Sequence, residues 1–99
     1  MSVAVQLDFQ GATLEQYERG LESTGLLPGG PGPQKQIFHC VVKTEDGIRV
    51  IDVWESREAY LEFSSTNIFP VAEEVGMPNP PVVQLFEVYN LFTTRPWWS

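Results

Sequence analysis

The 99-residue chain has few basic residues, a single cysteine and no apolar run long enough to cross a membrane. Its 6 lysines and arginines are scattered and outnumbered by 13 acidic residues, which gives a net charge of -7. Nucleic acids and anionic membrane surfaces attract clustered basic residues, so we expect neither as a partner. The chain start lacks the charged and apolar regions of a signal peptide, so we expect a cytoplasmic protein.

Several kinds of reactive site are also excluded by what is missing. A zinc site needs three or four ligands of His, Cys or carboxylate type, and His39 and Cys40 would lie on opposite faces of one strand. Neither a Gly-x-Ser-x-Gly nucleophile motif nor a nucleotide-binding fingerprint occurs. The glycine- and proline-rich stretch 28–33 lacks the Lys-Ser/Thr pair of a phosphate-binding loop and is interpreted as a surface loop. We therefore expect no metal and no cofactor, and an inert buried thiol at Cys40.

Hydrophobic spacing and capping residues predict six elements in the order β-α-β-β-α-β. For the first helix, a Thr13–Gln16 capping box marks the start, Leu14, Tyr17 and Leu21 follow at helical spacing, and Gly25 marks the end. They are a strand at 3–9, a helix at 13–25, strands at 35–44 and 48–55, a helix at 56–76 that Pro70 kinks, and a strand at 82–92. This order is typical of ferredoxin-like α+β folds, with a four-stranded antiparallel sheet and two helices on one face. Residues 1–99 are expected to form one domain, with 93–99 as a C-terminal tail.

The central hairpin decides which side chains share a face. Asp46-Gly47 is typical of a two-residue type I′ turn, which would place His39 opposite Trp54 and Val41 opposite Asp52. Alternation then gives one mixed face and one nearly apolar face. The mixed face holds Ile37, His39, Val41, Lys43, Val50, Asp52 and Trp54, and the apolar face holds Phe38, Cys40, Val42, Ile51 and Val53. We expect the apolar face to pack against the helices, and a second copy of the sheet to cover the mixed face in a dimeric α+β barrel.

The interior of that barrel is the predicted site, because apolar walls with a few polar groups are typical of small-molecule pockets. His39, oriented by a hydrogen bond to Asp52, is the candidate for proton transfer, so these two are the predicted catalytic residues. The residues expected to contact a substrate are Trp54, Val41, Val50 and Gln6. Gln6 joins them if its neighbours in the first strand face the helices. The alternative interpretation is a structural histidine with satisfied hydrogen bonds beside a core tryptophan.

The segment Val53-Trp54-Glu55-Ser56, followed by Arg57-Glu58-Ala59-Tyr60 and Phe63, resembles the antibiotic biosynthesis monooxygenase-like family. The resemblance covers nearly the whole chain in element order and length, and implies a homodimeric α+β barrel. Some members oxidise polyketide aromatics without a cofactor, and others degrade haem. The haem-degrading branch uses an asparagine, a tryptophan and a histidine where this chain has Val5, Phe63 and Glu73, so the resemblance does not imply haem degradation.

Three functional hypotheses remain open from the sequence. The first is a cofactor-independent monooxygenase acting on a phenolic or polyketide-like substrate, with His39 as the base. The second is a cyclase or isomerase that uses the same acid–base pair without dioxygen, and the third is a non-catalytic small-molecule binder or accessory protein. The tail ends in Trp97-Trp98, and we expect these rings to pack against a hydrophobic surface, for which the partner subunit is a candidate.

Overall fold

The computed structural model describes residues 1–26 and 32–92. Its elements are β1 (Val3–Gln10), α1 (Leu14–Thr24), β2 (Gln36–Lys43), β3 (Gly47–Trp54), α2 (Arg57–Phe63), a π-helical turn (Ser64–Ile68), α3 (Phe69–Glu74) and β4 (Val82–Glu87). The strands form one antiparallel sheet in the order β2-β3-β1-β4. The predicted ferredoxin-like α+β fold is therefore confirmed. The predicted tail 93–99 and most of the predicted loop 28–33 lie outside the described residues.

The ends of α1 are set by the residues that predicted them. The hydroxyl of Thr13 accepts a hydrogen bond from the backbone N–H of Gln16 at 3.1 Å, and the Gln16 side chain accepts one from the N–H of Thr13 at 3.0 Å. These bonds satisfy two amides that a helix start leaves free. At the other end Gly25 takes a left-handed conformation with φ 78° and closes the helix. The helix start fixes which α1 side chains turn toward the sheet.

The second helical segment is continuous but locally widened. Pro70 has no N–H, and in a regular α-helix its ring would clash with the carbonyl four residues earlier. The backbone avoids this clash with a π-helical turn in which the N–H of Phe69 donates to the carbonyl of Ser64, five residues back. The prediction that Pro70 disturbs this helix is confirmed. The widened turn brings Asn67 and Ile68 to the lining of the cavity described below.

The hairpin between β2 and β3 differs from the prediction. The N–H of Thr44 donates to the carbonyl of Gly47 at 2.9 Å, so the two turn residues are Glu45 and Asp46. Neither of them has a positive φ, so the predicted type I′ turn is wrong. Gly47 serves another purpose, since a Cβ there would overlap the carbonyl oxygen of Phe9 in β1. The glycine thus permits two strands to approach rather than forming the turn.

The pairing of β2 with β3 is consequently displaced from the predicted pairing. His39 lies opposite Asp52, and Val41 opposite Val50. Because each partner moves by two residues, the set of side chains that share a face does not change. The register brings the predicted catalytic pair directly across from one another.

The face that packs against the helices is the opposite of the one expected. In β1, Val5 and Leu7 are buried beneath the helices, and they pair with Asp52 and Val50 of β3. Directly opposed residues share a face, so the mixed face of the hairpin is also the helix-covered one. We call this the inner face. The outer face carries the side chains Ala4, Gln6, Asp8, Phe38, Cys40, Val42, Arg49, Ile51, Val53, Val82, Gln84 and Phe86.

The hydrophobic core lies between the inner face and the helices. Its buried apolar members come from β1, the turn before α1, β3 and α2: Val3, Val5, Leu7, Phe9, Ala12, Ile48, Val50, Trp54, Ala59 and Tyr60. None of the helices within residues 1–26 and 32–92 is long and apolar enough to traverse a bilayer.

Candidate functional site

A partly open cavity of about 490 Å³ lies between the inner face and the helices. Small-molecule sites are typically cavities of roughly 300–1,000 Å³ with mostly apolar walls and a few polar groups. The apolar lining includes Leu7, Phe9, Leu21, Ile48, Val50, Phe63, Ile68, Val71, Ala72 and Met77. The polar side chains that reach the lining are Tyr17, Thr24, Gln36, His39, Asp52 and Asn67. The composition therefore suits an aromatic or otherwise apolar molecule with a few polar substituents.

A β-bulge shapes the edge of this cavity. Gln36 of β2 pairs with Trp54, whereas Phe38 pairs with Val53, so Ile37 is an extra residue in the strand. Such a bulge redirects side chains that would otherwise alternate between the two faces. Gln36, Ile37 and His39 line the cavity, whereas the side chain of Phe38 between them lies on the outer face, where it pairs with Val53.

Asp52 is the most deeply buried ionisable group of the site, with 1% of its surface exposed. Its Oδ1 lies 2.6 Å from Nδ1 of His39, and its Oδ2 accepts a hydrogen bond from Nε1 of Trp54 at 3.2 Å. A carboxylate accepts from an N–H, so the neutral imidazole carries its proton on Nδ1 and leaves a lone pair on Nε2. Asp52 therefore holds His39 in the tautomer that can act as a base.

Tyr17 of α1 completes a hydrogen-bonded chain that sequence reasoning missed. Its hydroxyl lies 2.5 Å from Nε2 of His39, and the two rings stack at a centroid distance of 6.0 Å. Burial raises the pKa of the Tyr17 phenol, and the charges of Asp52 and Cys40 raise it further. The phenol therefore stays protonated and donates to the imidazole. Its position on the helix face with Leu14 and Leu21 marked it in the sequence only as an apolar contact.

The predicted substrate contacts divide into two groups on this side of the sheet. Val50 lines the cavity beside His39 and Asp52. Val41 packs against the core without lining the cavity, and Trp54 is 1% exposed and lies behind it. The Trp54 ring contacts Phe63 at a centroid distance of 5.1 Å, and its indole N–H holds Asp52. The expectation that Trp54 forms the wall of the site is therefore wrong, because its ring fills the core beneath that wall.

Gln6 does not belong to this site. Its amide lies on the outer face, where it donates to Asp8 at 3.2 Å and to Gln84 at 3.1 Å. The prediction that Gln6 shares a face with His39 is wrong, because β1 places Val5 rather than Gln6 opposite Asp52. The sheet itself separates Gln6 from the cavity.

The remaining reactive groups offer no second centre within the described parts of the chain. Cys40 is a partly buried free thiol whose residue pairs with Ile51, on the far side of the sheet from the cavity. Among residues 1–26 and 32–92, no three His, Cys, Asp or Glu side chains come together in a way that could hold a metal ion.

Comparison with known proteins identifies the architecture. No family model and no curated protein matches the sequence. Among solved structures, Rv0793 from Mycobacterium tuberculosis superimposes with a TM-score of 0.65 at 15% identity, over 94% of this chain and 100% of that one. The chain has the fold of the antibiotic biosynthesis monooxygenase-like structures.

Two of those structures carry a described activity or ligand. SnoaB, a cofactor-independent oxygenase from Streptomyces nogalater whose structure is that of a mutant, gives a TM-score of 0.56 at 15% identity, over 91% of this chain and 93% of that one. The monooxygenase ActVA-Orf6 of Streptomyces coelicolor, in complex with nanaomycin D, gives 0.53 at 17% identity, over 95% and 92%. Sequence identities this low establish only the shared fold. Any inference about chemistry must come from the residues of the site.

Proposed function

We propose that this protein is a cofactor-independent monooxygenase-like enzyme that oxidises a phenolic or polyketide-like aromatic molecule. The observation that carries the proposal is the chain of hydrogen bonds from Asp52 through His39 to Tyr17 in the wall of an apolar cavity of about 490 Å³. The chain contains a base, a group that stabilises its protonated form and a hydroxyl. The shared fold with a cofactor-independent oxygenase and with a monooxygenase that binds nanaomycin D supports the same chemistry.

The reaction can be balanced for an anthrone without any reductant besides the substrate. Removal of a substrate proton yields an anion that gives electrons to dioxygen. The ring methylene becomes a carbonyl, one oxygen atom enters the product, and the other leaves as water. His39 accepts the proton, and the carboxylate of Asp52 offsets the charge of the imidazolium. The apolar side chains around the cavity surround the anion and limit its contact with water.

An oxygen-uptake assay tests this function. A panel of hydroxylated anthrones is offered to the wild type, to His39→Ala and to Asp8→Ala, the last of which alters only the outer face. General-base catalysis is typically worth about 10²–10⁴-fold, so we expect His39→Ala to lower uptake by that factor and Asp8→Ala to leave it unchanged. Wild-type product made under ¹⁸O₂ should contain one labelled atom. Uptake unaffected by the loss of His39 would remove the imidazole from the mechanism.

A cyclase or isomerase of polyketide-like substrates is the second candidate. The same three side chains can move a proton from one substrate atom to another, and none of the steps at those residues requires dioxygen. Anaerobic incubation separates the two functions, because an oxygenase stops in the absence of dioxygen and a cyclase continues. A non-catalytic small-molecule binder stays a prediction, because an open cavity suits a ligand whether or not the ligand reacts.

We further propose that the outer face is the surface through which two copies associate into an α+β barrel. Phe38 and Phe86 are 45% and 56% exposed there, and Val42 and Val82 add to the exposed apolar area. The polar groups among them are already paired with each other, including Arg49 with Asp8 at 2.7 Å. Paired polar groups cost little to bury, so a second apolar sheet can cover this face.

Sedimentation equilibrium tests the association at micromolar concentration. We expect a dimer for the wild type and a monomer for Phe86→Glu, which puts a charge on the apolar part of the outer face. The control is Phe69→Glu, since Phe69 is a similarly exposed phenylalanine on the helical side of the molecule. A wild-type monomer would contradict the barrel, and dissociation of both variants would contradict the assignment of the interface to the outer face.

A location in the cytoplasm stays a prediction.

A further inference from the structure

The imidazole of His39 has no free nitrogen in this structure. Nδ1 is held by Asp52 at 2.6 Å, and Nε2 is held by the hydroxyl of Tyr17 at 2.5 Å. A substrate hydroxyl can therefore give its proton to His39 in only two ways. It displaces Tyr17 from Nε2, or it transfers the proton through Tyr17.

We propose that Tyr17 is the catalytic residue that meets the substrate and relays its proton to His39, an inference that rests on the proposed function. Tyr17 and His39 both line the cavity, and the Tyr17 hydroxyl occupies Nε2, the nitrogen that would take a proton. A substrate hydroxyl in the cavity can therefore meet the phenol while the basic nitrogen of His39 is occupied.

The packing of α1 favours relay over displacement. The helix is fixed at its start by the Thr13 capping box, and it packs closely on α3, where a Cβ on Gly20 would lie 3.0 Å from Val71. The Tyr17 ring also stacks on the imidazole with an interplanar angle of 19°. Moving the phenol off Nε2 would break the stack and the hydrogen bond together. A relay leaves both in place.

The proton transfer balances without any added reagent. The substrate O–H bond breaks and a new O–H bond forms on Tyr17, while the original Tyr17 proton moves to Nε2 of His39. The products are a substrate anion, an unchanged phenol and an imidazolium paired with Asp52. Burial and the charge of Asp52 raise the pKa of Tyr17, so a free tyrosinate is disfavoured. The two transfers are therefore coupled, and the negative charge ends on the substrate.

Turnover of the substrate distinguishes the two routes. If Tyr17 relays the proton, Tyr17→Phe lowers kcat by about 10²-fold or more, and adding it to His39→Ala causes little further loss because both act in one chain. If the substrate displaces Tyr17, then Tyr17→Phe removes an obstacle, and kcat stays the same or rises. Tyr60→Phe is the matched control, since Tyr60 is buried in the core and does not line the cavity. Far-UV circular dichroism of each variant verifies folding.

A second measurement uses no dioxygen and so stands apart from the oxygenase function. 4-Nitrophenol is titrated into each protein, and the absorbance of its phenolate gives the pH at which the bound probe ionises. A relay predicts that Tyr17→Phe raises the pH at which the bound probe ionises and that Tyr60→Phe does not. Displacement predicts that the probe meets His39 directly, so that Tyr17→Phe leaves this pH unchanged or lowers it and His39→Ala raises it. In parallel, the ¹⁵N signal of Nε2 from the chain's single histidine should move in Tyr17→Phe while that of Nδ1 stays in place.

The outcomes separate the two proposals. The oxygenase is rejected and the role of Tyr17 is supported if the wild type consumes no dioxygen but its bound nitrophenol ionises at a higher pH in Tyr17→Phe. If the wild type and Tyr17→Phe consume dioxygen at the same rate, the relay is overturned and the oxygenase function is retained. A wild type that binds no 4-nitrophenol also overturns the relay.

Discussion

The two faces of the sheet are built from the same four strands but treat polar side chains differently. On the inner face one carboxylate, Asp52, is buried and accepts hydrogen bonds from His39 and Trp54. On the outer face Asp8 is partly exposed and pairs with Arg49. Burying a carboxylate is costly unless its hydrogen bonds are satisfied, whereas a partly exposed ion pair leaves the apolar surface around it without an unpaired charge. The comparison supports the two proposals, of a reaction on the inner face and of assembly through the outer face.

We expect alanine substitutions at two isoleucines of β3 to show the largest difference in their effect on the free energy of unfolding. Ile48 is 1% exposed on the inner face, so Ile48→Ala should lower the free energy of unfolding by about 2–5 kcal/mol at any protein concentration. Ile51 lies on the outer face and is only partly buried in one chain. If a second copy covers it, Ile51→Ala weakens association, and its cost should grow as protein concentration rises.

Urea unfolding at two concentrations, one above and one below the dissociation range of the wild type, measures this contrast. A cost for Ile51→Ala that does not change with concentration would argue against a partner on the outer face. A cost for Ile48→Ala that changes with concentration would argue that the inner face also takes part in assembly.

We expect the next largest difference in the free energy of unfolding between alanine substitutions of the two aspartates. Asp52→Ala leaves the buried indole N–H of Trp54 without its acceptor, and an unpaired buried polar group costs about 1–3 kcal/mol. Asp8→Ala removes a partly exposed ion pair, and such pairs contribute about 0–1 kcal/mol. Thermal or urea unfolding of both variants at one concentration below the dissociation range of the wild type, where the outer face is exposed, gives the comparison. Equal losses of unfolding free energy in the two variants would mean that the two carboxylates occupy similar environments, which would contradict the structure.

The smallest expected effect concerns stability at high pH. Burial raises the pKa values of both Tyr17 and Tyr60 above the ordinary 10.0, with Asp52 adding to each and a hydrogen bond with Ser64 opposing the shift of Tyr60. The unfolded chain ionises first, so their contribution to stability is complete below pH 10 and is lost as pH rises through the folded values.

Unfolding of the wild type and of Tyr17→Phe between pH 8 and pH 11 measures that slope. We expect the stability of the wild type to fall more steeply above pH 10 than that of Tyr17→Phe. Parallel curves for the two proteins would show that Tyr17 ionises alike in the folded and unfolded chains.

Local signals in the sequence predicted the fold because each depends on neighbouring residues. The Thr13 capping box, the Gly25 stop, the disturbance at Pro70 and the alternation in β1 are all present as expected. The hairpin register failed because Gly47 has two possible uses. The same residue suits a type I′ turn or a close approach to Phe9, and only the tertiary structure decides between them.

The site was harder to predict because it depends on which face meets the helices. Hydrophobicity favoured the nearly apolar face of the β2–β3 hairpin, but the structure packs the mixed face against the helices. The decisive fact is the pairing of Val5 with Asp52, a contact between strands far apart in the chain that no local pattern encodes. His39 and Asp52 were correctly placed together, but Tyr17 reaches them only through the packing of α1 on the sheet.

The central claim is that ligands bind beside His39 on the inner face and not between the sheets on the outer face. NMR titration with 1,8-dihydroxyanthraquinone tests it most directly, because the chain has a single histidine and its imidazole signals need no further assignment. The account predicts that the imidazole signals of His39 shift with added ligand, while the side-chain amide signals of Gln6 and Gln84 on the outer face stay in place. Shifts of the Gln6 and Gln84 amides with an unchanged His39 imidazole would contradict it.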